Sequence, residues 1–271
     1  AQTNASIVIT SAVSGVEYIL SGTGVGGYVK IQSTYASKLT LNGVSLTCTN
    51  GPAISVLSTN RCFVVLPAGT SNTLSDSATY TQSGDGALYA TAPLVFSGRG
   101  SLIVSGKKKN GIYSGSYIRM LGGDVTVPAA VKDGIHVISY FKMDNGTLTI
   151  AATSDGIDAD AGYVVINGGT INIQSVSDDV KGIKCDGTLT VNGGAINMTV
   201  SGVQSKGFKT AGVMTFNGGA VMLNLSGAMY LSTVTTTSNS YVDPSYCTGI
   251  KCDTNITFKG GNFTITHTGT A

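Results

Sequence analysis

The chain of 271 residues has 37 glycines, 12 tyrosines, no tryptophan and only 11% charged residues, a composition typical of a β-rich, turn-rich protein. Disorder requires low hydrophobicity with high net charge, and collagen requires glycine at every third position, so both are excluded. The formal net charge of +2 gives no global attraction to nucleic acid or to an anionic membrane. We therefore expect a single domain over residues 1–271, with any electrostatic function in a local arrangement of charges.

Four further features bear on the function. Of the 14 acidic residues only Glu17 is a glutamate, and aspartate is the short carboxylate that suits tight turns and calcium coordination. The five cysteines are irregularly spaced without a CxxC pair, which indicates buried thiols rather than a metal or redox motif. No apolar run is long enough to predict a transmembrane helix. The start at Ala1 suits a processed secreted protein and a cloning boundary equally.

Residues 1–84 contain strand-like segments that repeat irregularly. The apolar stretches VEYIL, YVKIQ, LTLNGVSL, AISVL and FVVL predict strands. Terminal repeats of a solenoid are atypical because an open β edge must be capped. We therefore expect residues 1–84 to form an N-terminal cap that merges into the first, irregular coils.

Residues 85–271 carry a regular repeat of a marker glycine followed by a large apolar residue. The repeats are DGALY, NGIYS, DGIHV, DGIDAD, KGIKCD, KGFKT and TGIKCD, with glycines at 86, 111, 134, 156, 182, 207 and 249. A second marker, GG, NG or NGG, runs in phase and precedes alternating segments such as TLTI, TINI and AINM. A period of short strands and turns without helical periodicity predicts an all-β fold, a right-handed parallel β-helix with one coil per repeat.

The step between the last two marker glycines is longer than the others. It contains LSTVTTTSNSYVDPSYC, residues 231–247, which is polar. We interpret this segment as a loop inserted into one coil, an excursion of the kind that often lies at a binding face.

Stacking of coils about 4.8 Å apart turns equivalent positions into columns. Before the marker glycine the column runs Asp85, Asn110, Asp133, Asp155, Lys181, Lys206 and Thr248. Two residues after that glycine it runs Tyr113, His136, Asp158, Lys184, Lys209 and Lys251. Both columns change from acidic to basic at the same coil, so the two chemistries are expected to lie side by side.

The acidic part of these columns predicts a calcium site. Asp133, Asp155 and Asp158 come from adjacent coils, and Asp178 and Asp179 are possible additional ligands. Such a cluster is costly without a cation, and Ca²⁺ takes about six to eight oxygen ligands. The alternative is turn chemistry, because Asp or Asn before Gly is a common turn residue.

The basic part predicts contact with an anionic polymer. Lys184, Lys209 and Lys251 form a row of ammonium groups, and Tyr113 and His136 continue the same column as candidate substrate contacts. The alternative for the lysine row is a solvated face.

Other polar residues have a structural interpretation. Stacked side-chain amides hydrogen-bond along a β stack, so Asn167, Asn192 and Asn217 are expected to form a structural ladder. His136 and His267 are expected to be packed or exposed rather than to bind a metal.

From about Leu39 to Thr266 the chain resembles a family of bacterial β-helix proteins described as carbohydrate-binding domains. The matching features are LTLNGVSLTCTNGPAI, GTSNTLSD, GRGSLIVSG and the coils built on GI and NGGTINI. The resemblance implies a secreted or cell-surface bacterial protein that binds cellulose or acidic sugars such as polygalacturonate, with calcium in the helix.

The coils also resemble, more distantly, the pectate lyases of polysaccharide lyase family nine. In that family a DG on one coil and a DGxD on the next hold calcium, and a GFK lysine acts as the base. The corresponding residues are Asp133 in DGI, Asp155 and Asp158 in DGID, and Lys184 in GIK.

The match to the lyases departs from their pattern in two places. Lys209 in GFK has the better spelling but lies one coil beyond Lys184. The lyases carry DD before GxD, whereas Ser154 precedes the DGID motif here and the pair Asp178 and Asp179 comes one coil late. These departures weigh against both metal occupancy and activity.

Three functional hypotheses remain. The favoured one is a monomeric, exported, non-catalytic protein that binds acidic polysaccharide or cellulose with the help of Ca²⁺, with no nucleic-acid partner and no membrane span. The alternative is pectate-lyase-like β-elimination with Lys184 as the base, which requires a lysine pKa lowered toward the working pH. The third is a structural cell-surface protein.

Overall fold

A computed structural model describes residues 2–3 and 6–269 and shows a parallel β-solenoid of about 9 turns. Those residues form strands, turns and bends only, which confirms the predicted all-β class. The described part of the chain accordingly holds no helix that could serve as a membrane span.

Each regular coil contributes three short strands, and these stack on three faces of the solenoid. The first face is a sheet of ten strands, each of which begins near a marker glycine in the regular coils: Ile7–Ser11, Val29–Ser33, Ile54–Ser58, Gly86–Ala90, Asn110–Ser114, Ile135–Val137, Ile157–Asp158, Lys181–Cys185, Lys206–Thr210 and Thr248–Cys252. The second face follows it along the chain: Cys62–Leu66, Leu94–Gly98, Tyr117–Met120, Tyr140–Met143, Tyr163–Ile166, Leu189–Val191, Met214–Phe216 and Ile256–Phe258.

The third face completes each coil: Gln2–Thr3, Ser71–Ser75, Ser101–Gly106, Asp124–Ala130, Thr147–Ala152, Thr170–Ser175, Ala195–Val200, Ala220–Leu225 and Asn262–His267. Two long strands, Glu17–Gly26 and Ser37–Cys48, run through both the second and third faces and join them into one sheet of 19 strands. From Thr147–Ala152 to Asn262–His267 the third-face strands pair in parallel and in unbroken register, as the repeat predicts.

The inward column of the first face confirms the predicted core. Ile157, Ile183 and Phe208 are completely buried. Ile250 is half-buried, because its coil is the last one described and is covered on one side only. Full burial of such side chains contributes roughly 1.5–3 kcal/mol each, so this column is a main source of stability.

The double-glycine markers lie at the corner between the second and third faces. Gly169, Gly194 and Gly219 have φ values of 83°, 86° and 92°, a region that favours glycine. A Cβ atom at Gly194 would lie 2.7 Å from the carbonyl oxygen of Gly169 in the preceding coil. The second marker is therefore required both by the backbone conformation and by the close approach of successive coils.

The described part of residues 1–84 continues the same faces. Ile7–Ser11, Val29–Ser33 and Ile54–Ser58 pair in parallel and lead into Gly86–Ala90. The outermost coil is partly open, since Ile7 is 48% exposed. The described residues of this region thus form coils that continue the solenoid, and the N-terminal cap stays a prediction; Ala1 and residues 4–5 lie outside the described part.

The inserted segment forms an antiparallel hairpin. Tyr230–Thr235 pairs with Ser240–Ser245, with Tyr230 opposite Ser245. This local pairing satisfies the backbone of a segment too long for a coil corner, so the predicted insertion is an ordered arm rather than an irregular loop.

Candidate functional site

The outward positions of the first face form one column along the solenoid. In consecutive pairs of strands the register places side by side Tyr89, Tyr113, His136, Asp158, Lys184, Lys209 and Lys251. This confirms the predicted column and its change from acidic to basic, and it adds Tyr89 at the aromatic end.

The aromatic end of the column is a continuous stack. The ring centroids of Tyr89 and Tyr113 are 5.5 Å apart, and those of Tyr113 and His136 are 5.4 Å apart with an interplanar angle of 5°. His136 is therefore packed on Tyr113 on one side, while the coil of Asp158 lies on its other side.

The aspartates at the corner before the marker glycines hold the backbone of the next coil. Asn110 Oδ1 accepts the Asp133 N–H at 3.0 Å, and Asp133 Oδ1 accepts the Asp155 N–H at 3.1 Å. Asp155 Oδ1 in turn accepts the Lys181 N–H at 2.7 Å. One carboxylate oxygen of Asp133 and one of Asp155 therefore accept backbone hydrogen bonds at the turn, as the turn interpretation of these residues predicts.

The remaining carboxylate oxygens alternate with cationic side chains. Asp133 Oδ2 lies 2.9 Å from His136 Nδ1, which lies 3.9 Å from Asp158 Oδ2. The Lys184 ammonium lies 2.9 Å from Asp158 Oδ2 and 3.9 Å from Asp155 Oδ2. The basic side chains of His136 and Lys184 therefore already lie beside the carboxylates, where the sequence predicts a cation.

His136 has a larger role at this site than the sequence indicates. Candidate ligand atoms of Asp133, His136 and Asp158 all lie within 4.8 Å of one another. Asp133 and Asp158 are buried and His136 is half-buried. The stacking of Tyr113 on His136 positions the imidazole against Asp133, and only the three-residue spacing from Asp133 to His136 could have signalled it.

Burial and neighbouring charges shift the pKa values of this cluster. Burial raises the pKa of Asp155 to about 6; the Lys181 N–H opposes this, and the charges of Asp133 and Asp158 add to it. Burial also pushes the pKa of Asp133 upward, but the hydrogen bonds with His136, Ser154 and the Asp155 N–H and the charge of His136 together outweigh it and leave that pKa below its ordinary value. The cluster therefore contains one carboxylate that is easily protonated beside one that is not.

The pKa values of the two basic members, His136 and Lys184, are both shifted upward. Burial lowers the pKa of His136, but the hydrogen bond to Asp133 and the charge of Asp158 outweigh it, so the pKa is raised. For Lys184, burial is likewise outweighed by the hydrogen bond and charge of Asp158, and its pKa is raised. Lys184 is thus protonated at neutral pH, the opposite of what a catalytic lysine base requires.

The other two lysines of the row extend beyond the aspartate cluster. The Lys209 ammonium pairs with the exposed carboxylate of Asp253. Lys251 is exposed and makes no ion pair with any residue that the structure describes. Lys251 is therefore the member of the row whose charge is most available to an external anion.

Asp178 and Asp179 do not join the group formed by Asp133, His136 and Asp158. Asp178 Oδ1 accepts the Val203 N–H at 2.8 Å. Asp179 has a positive φ of 55°, and its Oδ1 lies 3.0 Å from the Lys181 ammonium. These two carboxylates have local structural roles at the next coil corner.

A cleft of about 260 Å³ opens on the aromatic side of the cluster. Its lining includes Tyr113, Asp133 and His136, together with Lys109 and Lys132. The Lys109 ammonium pairs with the carboxylate of Asp85 in the cleft wall. Lys132 is exposed and makes no ion pair within residues 6–269. Positive charge therefore lies at both ends of the aspartate cluster.

The second face carries two structural ladders. Tyr117, Tyr140 and Tyr163 stack with centroid separations of 4.4 and 4.8 Å.

The predicted asparagine ladder is confirmed. Asn192 donates to Asn167 at 2.8 Å, and Asn217 donates to Asn192 at 2.7 Å. These bonds between successive amides give the ladder a structural role along the stack.

Comparison with known proteins assigns the class. The model of the family described as carbohydrate-binding domain-containing protein matches residues 3–271, and the chain belongs to that family. It is 28% identical over 120 residues to a carbohydrate-binding domain-containing protein of Acetivibrio thermocellus; the match covers 41% of this chain and 42% of that protein, less than half of its length.

Among solved structures, the fold is similar to the polysaccharide lyase-like protein from C. thermocellum, in a gadolinium derivative. The TM-score is 0.62 with 20% sequence identity, over 94% of this chain and 90% of that chain. At this identity the likeness establishes the shared solenoid fold.

Proposed function

We propose that this protein binds an acidic polysaccharide along the outward column of the first face and does not cleave it. The observation that carries the proposal is the in-register row of Lys184, Lys209 and Lys251, which continues the stack of Tyr113 and His136. The row concentrates positive charge in a chain whose net charge is only +2.

The spacing of the row suits a polymer. Neighbouring coils lie about 4.8 Å apart, so each coil presents one side chain to a chain that lies along the solenoid axis. A polyuronate such as polygalacturonate carries a carboxylate on every sugar, and a regular row of ammonium groups complements such a regular row of anions. Affinity is then expected to fall with added salt.

The electrostatics favour binding over β-elimination. A lyase base must be unprotonated to remove the proton from C5 of the uronate, whereas in the calcium-free protein the ion pair with Asp158 raises the pKa of Lys184. Cellulose has no charge for the row to complement, so a cellulose binder would show little dependence on salt. A purely structural protein would bind neither polymer.

We also propose that Ca²⁺ assists binding at the aspartate cluster. The second oxygens of Asp133, Asp155 and Asp158 face the cationic groups rather than the backbone, so they are the available hard ligands. Calcium there must displace the charges of His136 and Lys184, and the freed lysine can then contact the polymer. Asp178 and Asp179 are left out of this proposed ligand set because other groups engage them.

The proposed ligand also has a consequence for location. Acidic polysaccharides of plant or matrix origin lie outside bacterial cells, so we propose that the protein acts as a secreted or cell-surface monomer. Fractionation of the producing cells followed by light scattering of the recovered protein tests both points. Recovery from the cytoplasm alone, or a stable oligomer, would contradict them.

The decisive experiment is isothermal titration with polygalacturonate at low and high salt, with calcium and with EDTA. The test variant carries Lys184→Gln, Lys209→Gln and Lys251→Gln, and Lys259→Gln, an exposed lysine on the second face, is the control. We expect the triple variant to lose about tenfold in affinity, or about 1.4 kcal/mol, since three exposed charge pairs contribute roughly 0.2–1 kcal/mol each. Equal binding by both variants would contradict the proposal, and sustained unsaturated product in an absorbance assay would establish a lyase instead.

A further inference from the structure

The inserted hairpin interrupts a corner that is otherwise short. Between the third and first faces the preceding coil needs only residues 201–205, whereas the last described coil uses residues 226–247. Neither the regular repeat nor the core requires the extra residues, because both strands of the hairpin are largely exposed. The hairpin is therefore an addition to a complete coil.

A buried lysine fixes the base of the hairpin to the solenoid. Lys206 is only 5% exposed, and its ammonium donates to the carbonyl oxygen of Tyr246 at 2.5 Å and reaches Ser245 Oγ at 3.4 Å. A third contact goes to the carbonyl oxygen of Gln204 in its own corner. No carboxylate pairs with it among the described residues, so carbonyl and hydroxyl oxygens of the corner and of the hairpin base solvate this charge.

The two sides of the hairpin differ in exposure. Residues opposite one another in an antiparallel pair share a side, so the side that contacts Lys206 carries Tyr230, Ser232, Val234, Tyr241, Asp243 and Ser245, with Asp243 as its one carboxylate. Val234 and Ser245 are half-buried there, whereas the rings of Tyr230 and Tyr241 remain 49% and 54% exposed. The other side, which carries Leu231, Thr233, Val242 and Pro244, is exposed throughout.

We propose that this hairpin is a second saccharide-binding element, in which Tyr230 and Tyr241 contact the sugar rings of the chain that the lysine row holds. This inference rests on the proposed function and extends it to a longer ligand. Tyrosine suits the role because its ring offers apolar area to a sugar face and its hydroxyl bonds to sugar oxygens, with few rotatable bonds to fix.

Continuity with the proposed site is the reason to choose a sugar as the occupant. The hairpin returns to the coil directly before Thr248–Cys252, the strand that carries Lys251. Its anchor, Lys206, pairs in register with Thr248. A chain that lies along the lysine row therefore reaches the hairpin at the last coils, where the tyrosines contact sugars beyond the lysines.

Chain-length dependence of binding tests the inference. Titrations with oligogalacturonates of increasing length compare the parent with three variants: Tyr230→Ala/Tyr241→Ala, the matched Leu231→Ala/Val242→Ala on the other side, and a deletion that replaces residues 226–247 with the SGVQS corner of the preceding coil. We expect the tyrosine variant and the deletion to lose about fivefold to tenfold in affinity for long chains only, as for removal of one or two aromatic contacts. Melting curves identify any variant that fails to fold, and the tyrosine variant keeps the test valid if the deletion does.

Each other outcome has a defined meaning. If the parent binds acidic chains and the tyrosine variant binds every length equally well, the hairpin has no role in binding and only this inference is overturned. If Leu231→Ala/Val242→Ala loses affinity equally, or abolishes a concentration-dependent self-association, the arm is a protein interface and the inference is also overturned. If the parent binds no acidic chain of any length, the proposed function fails and this inference fails with it.

Discussion

The first and third faces are built from the same coil and differ mainly in what they present to solvent. On the third face Asn172 donates to Thr149 at 3.4 Å and Asn197 donates to Asn172 at 2.9 Å, so the outward side chains of this column are neutral and hydrogen-bond to one another. On the first face the equivalent column contains His136, Asp158 and the lysines. Inward apolar side chains keep both faces in register, which leaves the outward positions free to carry function.

The two faces also differ in how their polar contacts contribute to the free energy of unfolding. Hydrogen bonds between neutral groups contribute roughly 0.5–1.5 kcal/mol each at any pH. The groups of the first face change charge with pH and with bound cations, so their contribution to stability varies with conditions. The first face is thus expected to be the sensitive region of the molecule and the third face the insensitive one.

Removal of the Asp133 carboxylate is expected to have the largest effect on stability. Asp133→Ala leaves the buried Asp155 N–H without its acceptor and His136 without its partner. We expect a loss of about 3 kcal/mol in the free energy of unfolding, measured by urea denaturation, because charged hydrogen bonds and buried unsatisfied groups each cost about 1–3 kcal/mol. Asp133→Asn keeps the Oδ1 acceptor and should lose clearly less; equal losses would show that the backbone contact is unimportant.

The pH dependence should be the next largest effect. The pKa of Asp155 is raised to about 6 from its ordinary value, so the folded state binds the proton more tightly and stability falls as pH rises from about 4 to 6. The pKa of His136 is also raised, so stability falls further as pH rises above the ordinary pKa of histidine. The pKa of Asp133 is lowered instead, so its contribution to stability is lost only in strong acid. Relative to the parent, Asp155→Asn should gain about 2 kcal/mol between pH 4.5 and 7.5 without calcium. A constant difference across that range would contradict the assigned environment of Asp155.

Calcium is expected to restore part of the stability that is lost when Asp155 deprotonates. If Ca²⁺ binds the deprotonated cluster, tenfold excess over its dissociation constant stabilises the fold by about 1.4 kcal/mol and raises the melting temperature. The rise should be present at pH 7.5, smaller at pH 5 because protons compete, and lost in Asp158→Ala. A melting temperature that does not differ between calcium and EDTA at pH 7.5 would remove calcium from the account.

The smallest effect is expected on the third face. Asn197→Ala removes one neutral hydrogen bond from the ladder to Asn172, and we expect a loss of about 0.5–1 kcal/mol that does not change with pH or calcium. The same urea titrations at pH 4.5 and 7.5 measure it. A pH-dependent loss larger than that of Asp133→Asn would invalidate the distinction between the two faces.

Most of the fold was predictable because the repeat is strongly periodic. Constant spacing from the marker glycines assigned Ile157, Ile183 and Phe208 to one inward column, and register then fixed the outward neighbours of Asp158 and Lys184. The tyrosine ladder of the second face had the same kind of signal, because Tyr117 and Tyr140 follow their marker glycines at equal distances. It lies outside the two columns beside the marker glycine on which the predicted site depends.

The details of the site were less predictable because they depend on side-chain direction. A column gives the order of residues but not which oxygen of Asp133 binds the backbone and which faces His136. It also does not show that Lys184 turns back onto Asp158 while Lys251 remains open to solvent. The hairpin was recognised as an insertion, but its pairing has no repeat from which to infer it.

Chemical labelling of lysines tests directly whether the lysine row contacts the acidic polymer. The protein is acetylated at low reagent concentration in calcium-containing buffer, with and without polygalacturonate, and the modification of each lysine is measured by mass spectrometry. The account predicts strong protection of Lys184, Lys209 and Lys251 by the polymer, relieved by high salt, with Lys259 on the second face labelled equally in both samples. Protection spread evenly over all exposed lysines, or confined to lysines away from the first face, would contradict it.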